Sequence, residues 1–413
     1  MLDLRQDQAQ GLPALDVQAV RADFPALSSG AAHFDSPGGT QTPQPVIDAI
    51  ARALQQPLSN RGALTAAARN ADEIVVAARA AVGDLVNVAP GGVVFGRSAT
   101  ALTYEMARTL ARSRGWGPGD EILVSRLEHD ANVRPWLAIA QAVGAVARFV
   151  DFDPTTGELD PGAVQSVLNE RTRLMAVTAA SNLIGTKPDV AAMADLVHGF
   201  DALLYVDGVH YAAHAHVDVA AMGADFFVCS PYKFLGPHLG VLVADPELLG
   251  SLTPDKLLPS SNAVPERFEL GTLPYELLAG TTAAVDYLAA LAGLGRDRRH
   301  RLATSHAVVE RHENFLRARL EQGLADLGTV TLHSRAAHRT STLLFSVLGH
   351  RPAAVAEHLA GQGVNAPAGH FYAIETSRHL GLGDEGGVRA GLTLYSTADD
   401  VDRLLEGLGS LPA

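Results

Sequence analysis

Only three of the chain's 32 basic Lys and Arg residues are lysines: Lys187, Lys233 and Lys256. Lys187 in "IGTKPD" and Lys256 in "LTPDKLL" stand in polar, turn-like surroundings. Lys233 lies in "DFFVCSPYKFLGPHLG", between Tyr232 and Phe234. Lysine is seldom buried without a partner or a task. A desolvated lysine has a depressed pKa that suits it to Schiff-base chemistry with a carbonyl. Four residues earlier stands Cys229, the chain's only cysteine and a second candidate nucleophile.

Other reactive types fall at the ends of apolar, strand-like runs. "ALLYVDGVH" delivers Asp207, and a carboxylate in such a crevice needs a cation or strong donors. "ADFFVCSPYK" delivers Ser230 and Tyr232 beside Lys233, and "LVSRLEHDANVRPW" delivers His129. "VVFGRSATALTYEMA" runs from strand through Ser98, Ala99 and Thr100 into a helix whose free N–H groups suit an anion. Taken singly, Asp207 reads as a turn residue, Ser98 as a cap and His129 as a structural histidine. Together they match pyridoxal phosphate, which needs a lysine for its aldehyde, a carboxylate for its ring nitrogen, a phosphate site and a flat group over its ring. His210, His214 and His216 in "DGVHYAAHAHVD" suggest a metal, but their spacing matches no compact zinc motif, so no metal is expected.

The surrounding pattern supplies the scaffold. Between about 90 and 245, seven strand-like runs ("GGVVFGRS", "EILVSRLEH", "ARFVDFD", "RLMAVTAASN", "ALLYVDG", "ADFFVCS", "LGVLVAD") alternate with helical patterns. That alternation predicts an α/β fold with a mainly parallel seven-stranded sheet, whose ligands sit at the strands' carboxyl ends. After about 280 come two long helical patterns and further strands, predicting a smaller α+β domain. The expected division is an N-terminal segment 1–30 packing with the small domain, a large cofactor-binding domain 31–285, and a small domain 286–413. A net charge of −13 argues against nucleic acid or an anionic membrane as partner. No apolar run reaches membrane-span length, the start "MLDLRQDQAQ" does not read as a secretion signal, and a lone cysteine fits the cytoplasm.

The chain resembles the class V branch of fold-type I pyridoxal-phosphate enzymes, in particular the cysteine desulfurases and selenocysteine lyases. The likeness runs nearly end to end through "FDSPGGTQTPQPVIDAI", "LEHDANVRPW", "SNLIGTKPD", "VDGVHYAAHAHVDVAAMGADFFVCSPYKFLGPHLGVL", "RFELGT" and "GVRAGLTLYSTADDVDRLL". The resemblance implies that Lys233 carries the cofactor and shuttles a proton, that Asp207 binds the ring nitrogen, and that His129 stacks on the ring. It places Asn182 and His210 near the ring hydroxyl, with His210 standing where glutamine is usual. It assigns the phosphate to Ser98, Ala99, Thr100, Ser230 and Tyr232, the last standing where histidine is usual. It implies a homodimer in which Thr272 reaches the partner's cofactor, and a substrate α-carboxylate held by Arg389. It implies Arg61 at the entrance, and His33 and His370 are expected to help select the substrate side chain.

One departure changes the expected reaction. In "VNAPAGHFYA" Tyr372 stands where desulfurases carry the cysteine that takes up sulfur, and Pro367 replaces an expected arginine. Cys229, at the end of a buried strand, reads as an inert small hydrophobe. The expectation is an enzyme that eliminates the β-substituent of a cysteine-derived amino acid without a persulfide. Tyr372 serves there as acid or, by preference, as pocket wall. Aminotransferase, epimerase and non-catalytic cofactor-binding scaffold are the alternatives.

Overall fold

The computed structural model describes residues 12–412. All seven expected strand runs form strands of one sheet, ordered Val93–Gly96, Gly240–Ala244, Phe226–Cys229, Leu203–Asp207, Thr172–Thr178, Glu121–Ser125 and Val146–Val150. Only Gly240–Ala244 runs against its neighbours; the remaining adjacent pairs are parallel. The central strands are apolar along most of their length because helices cover both faces. The edge strand Val146–Val150 instead alternates between more and less exposed residues. One apolar cluster packs each face, with Val177, Val206 and Phe227 on one side and Ala176, Tyr205 and Val228 on the other.

Helices connect the strands where apolar periodicity and caps predict them. Ala99–Arg114 starts at Ser98, whose Oγ accepts the Ala101 N–H at 3.1 Å, and ends at Gly115 in a left-handed conformation. Register then sets the floor of a crevice. Thr178 pairs with Asp207 and Asp207 with Val228, so these strands end within one residue of each other.

A four-stranded antiparallel sheet is built from Val330–Leu332, Thr342–Val347, Ala368–Gly369 and Gly387–Gly391. Its core holds Leu343, Phe345, Val388 and Ala390 together with Ala32 and Phe34 from near the chain's start. Ala32–His33 pairs in parallel with Val364–Asn365. The helix Arg298–Asp326 belongs to both regions: Leu302 and Val309 pack in the first core, Leu316 and Leu320 in the third. A division into 31–285 and 286–413 is proposed from these clusters, with that helix as the shared strut.

Of the expected N-terminal segment 1–30, residues 1–11 lie outside the described residues. The helix Val17–Ala22 ties to the C-terminal region through Arg21, which bonds Asp400 at 3.1 Å and the Tyr395 carbonyl at 2.6 Å. No helix among the described residues is long and apolar enough to cross a membrane.

Candidate active site

Lys233 closes the short turn Pro231–Lys233 that follows Phe226–Cys229, and it is buried. Its ammonium donates to the Pro37 carbonyl. Burial and, secondarily, Arg389 bring its pKa down to about 7, with Asp207 opposing. Near neutrality a substantial fraction is therefore the free amine, as a nucleophile or proton acceptor requires. Asp207 ends Leu203–Asp207, and its Oδ1 accepts the Val209 N–H at 2.9 Å. Burial raises its carboxyl to about 6, against the Val209 bond and Lys233. A cation set against it is favoured for the same reason.

His129 caps the turn Asp130–Asn132. Its Nδ1 accepts the Ala131 N–H at 3.0 Å, which leaves the proton of the neutral ring on Nε2. Burial, then Lys233 and Arg389, hold its pKa down at about 4, so the ring is flat and uncharged at neutral pH. Ser98, Ala99, Thr100, Ser230, Tyr232, Asn182 and His210 line the same cavity as Lys233, Asp207 and His129. An adjoining cleft of about 640 Å³, within the range of small-molecule sites, opens over Lys233, Arg389, Phe371 and Tyr372.

Three buried polar atoms at these cavities have no protein partner: Nδ1 of His210, Oδ1 of Asn182 and Nε of Arg389. An unpaired buried polar group costs about 1–3 kcal/mol. The other atoms of the same side chains are well placed. His210 Nε2 lies 3.2 and 3.0 Å from the Thr340 and Thr342 hydroxyls. The Asn182 Nδ2 donates to the Phe371 carbonyl at 3.0 Å, while the backbone carbonyl of Asn182 accepts from Arg389 Nη1 at 3.0 Å. The unsatisfied edges, Asp207 and the Ser98 helix start therefore fit a flat, polar, anionic group such as pyridoxal phosphate.

Arg389 is a sparsely partnered, buried charge. It lies on the buried strand Gly387–Gly391, with one carbonyl partner and its guanidinium carbon 3.7 Å from the Phe371 ring centroid. Burial lowers its pKa to about 9, with Asp35 opposing. Such a cation is poised for a carboxylate.

Four expected site residues do not line these cavities. Arg61 bonds Asp72 at 2.8 Å and Glu266 at 3.0 Å. Thr272 is exposed. His33 lies on Ala32–His33 beside Asn365. His370 Nδ1 accepts the Tyr372 N–H at 3.2 Å and shapes the turn. Tyr372 lines the cleft but is 70% exposed, with its ring centroid 5.5 Å from that of His129. Cys229 is fully buried, which pushes its thiol pKa up. Among the described residues no three His, Cys, Asp or Glu side chains converge as a metal site. His214 instead bonds Glu313 at 2.8 Å. The sequence reading missed Pro37, Tyr104, Asp130 and Arg134, which also line the cleft; of these only "LEHDANVRPW" carried a signal, through its place beside His129.

The chain is similar to known proteins over nearly its whole length. The aminotransferase class-V family model matches residues 32–404. An uncharacterised protein of Mycobacterium tuberculosis (strain CDC 1551 / Oshkosh) is 35% identical over 401 residues, covering 96% of this chain and all of that one. A cysteine desulfurase of Dickeya dadantii is 32% identical, over 95% of this chain and 96% of its own. The crystal structure of the Escherichia coli cysteine desulfurase CsdA is similar with a TM-score of 0.84 at 27% identity, over 96% and 98% of the two chains.

Proposed function

Because the chain belongs to the class-V aminotransferase family of pyridoxal-phosphate enzymes, we propose that it is a carbon–sulfur lyase eliminating the β-substituent of a cysteine-derived amino acid. One observation carries the choice. The only thiol, Cys229, is sealed beneath the strand end, and the loop over the cleft presents Tyr372. No side chain there can accept sulfur as a persulfide.

When bound, pyridoxal phosphate supplies an electron sink at the substrate α-carbon. Lys233, Asp207, the Ser98–Thr100 helix start, Ser230, Tyr232, Asn182 and His210 would hold it, with His129 against its ring. The chain's own residues do the rest. Arg389 binds the α-carboxylate through its free edge. Lys233, with its lowered pKa, takes the α-proton. The Cα–H electrons form the Cα–Cβ double bond as the Cβ–S pair leaves with sulfur, and hydrolysis of the released enamine gives pyruvate and ammonia. Neutral His129 keeps a second charge out of the cleft and donates from Nε2.

A cytoplasmic homodimer completes the reading. Thr272 is exposed and absent from its own cleft, as a residue serving a second copy's phosphate would be. The test is a panel of S-substituted cysteines and their sulfoxides, assayed for pyruvate, sulfide and alanine. Pyruvate without alanine is expected. Alanine with protein-bound sulfur, or amino transfer to keto acids without elimination, overturns the lyase.

A further inference from the structure

The turn that carries Phe371 and Tyr372 combines strain with an unusual degree of anchoring. Both residues adopt left-handed backbone conformations, φ 48° and 61°, which bulky side chains seldom take. Strain of this kind persists only where surrounding contacts hold it. Here the Asn182 side-chain amide donates to the Phe371 carbonyl and the Asp130 N–H to the Tyr372 carbonyl, the latter at 2.7 Å.

The following helix, Ile374–His379, is fastened by Glu375. This carboxylate is only 12% exposed and accepts from Arg134 at 2.7 Å and Arg126 at 3.2 Å. Arg134 also bonds Asp130 at 2.8 Å. The bonds therefore close a ring: Glu375 to Arg134, Arg134 to Asp130, and the Asp130 backbone to Tyr372. The ring couples the turn next to His129 with the turn that lays Phe371 on Arg389. Thr376, whose hydroxyl donates to the Arg126 carbonyl at 2.8 Å, reinforces it from the far side.

We propose that Glu375 is a positioning residue which, through Arg134 and Arg126, holds the Phe371 ring on Arg389 and so sets how large an amino acid the cleft admits. Phe371 covers one face of the guanidinium, leaving the in-plane edge for a carboxylate. If the ring drifts, the edge is no longer aimed and the cleft widens. The proposal rests on the amino-acid-binding reading of the site, but not on which bond is broken there.

Glu375→Gln and, from the other side of the same link, Arg134→Met test it in the cofactor-loaded protein. Two readouts apply: the absorbance change on titration with L-alanine and L-phenylalanine, and amide hydrogen exchange over residues 368–380. The variants should keep the resting spectrum, bind L-alanine at least tenfold more weakly, lose less for L-phenylalanine, and exchange at least tenfold faster over that segment. L-Alanine affinity within twofold of wild type, or unchanged exchange, overturns the proposal. A wild-type spectrum that no amino acid alters would instead overturn the reading of the site itself.

Discussion

Gly240 lies so close beneath Ser98 that a Cβ on it would stand 2.3 Å from the serine carbonyl carbon and 2.6 Å from the Ala99 nitrogen. The reversed strand thus props the start of the helix that offers its N–H groups to the cavity. A backbone neighbour cannot swing aside as a flexible side chain can. Gly240→Ala should destabilise by roughly 3 kcal/mol and weaken pyridoxal-phosphate affinity at least tenfold. Chemical denaturation and cofactor titration measure the two effects. Full stability with unchanged affinity would mean that the contact relaxes freely.

Cofactor uptake should report on Lys233 directly. Its pKa, lowered to about 7 chiefly by burial, makes the free amine the majority form above that pH and the ammonium the majority below. The rate at which the apo protein acquires cofactor absorbance should rise about tenfold between about pH 6 and about pH 8 and flatten above that. A rate still climbing at about pH 10 would indicate an ordinary, solvated lysine. Lys233→Ala should yield no borohydride-fixed adduct at any pH.

Tyr372 separates two mechanisms for the leaving group. It is mostly exposed and packs at the His129 ring. Tyr372→Phe keeps the ring and removes the hydroxyl, so kcat for elimination should stay within about threefold. General acid catalysis typically supplies about a hundredfold or more, and a loss of that size would make Tyr372 the acid.

Arg389 should show opposed effects on function and stability. A buried cation with a single carbonyl partner is costly to the fold, and replacing such groups by apolar side chains of similar size often stabilises by about 1–4 kcal/mol. Arg389→Met should raise the denaturation midpoint of the apo protein while abolishing the spectral response to L-alanine. A lowered midpoint would show that Asn182 and Phe371 already satisfy the charge.

The sheet was legible because its strands are buried on both faces, and uninterrupted runs such as "LLYVD" and "FFVC" leave little choice of element. Lys233, Asp207, Ser98 and His129 were legible for a related reason, since strand ends in a parallel sheet converge on one crevice. Partner choice was not. Arg61 has no sequence neighbour announcing Asp72 and Glu266, and the sequence reading placed it at the cleft. The stacking of Phe371 on Arg389 depends on two positive φ angles that no residue in "GHFYA" other than glycine advertises. The link from Arg134 to Glu375 spans 241 residues and is set by tertiary packing alone.

The pairing of Ala32–His33 with Val364–Asn365 joins segments from opposite ends of the chain, so it forms only once synthesis is nearly complete. Every cofactor-side residue from Ser98 to Lys233, and the Gly240 prop, leaves the ribosome well before Phe371 and Arg389. The residues that would hold the cofactor's ring and aldehyde are therefore made before the one that would take the substrate's carboxylate.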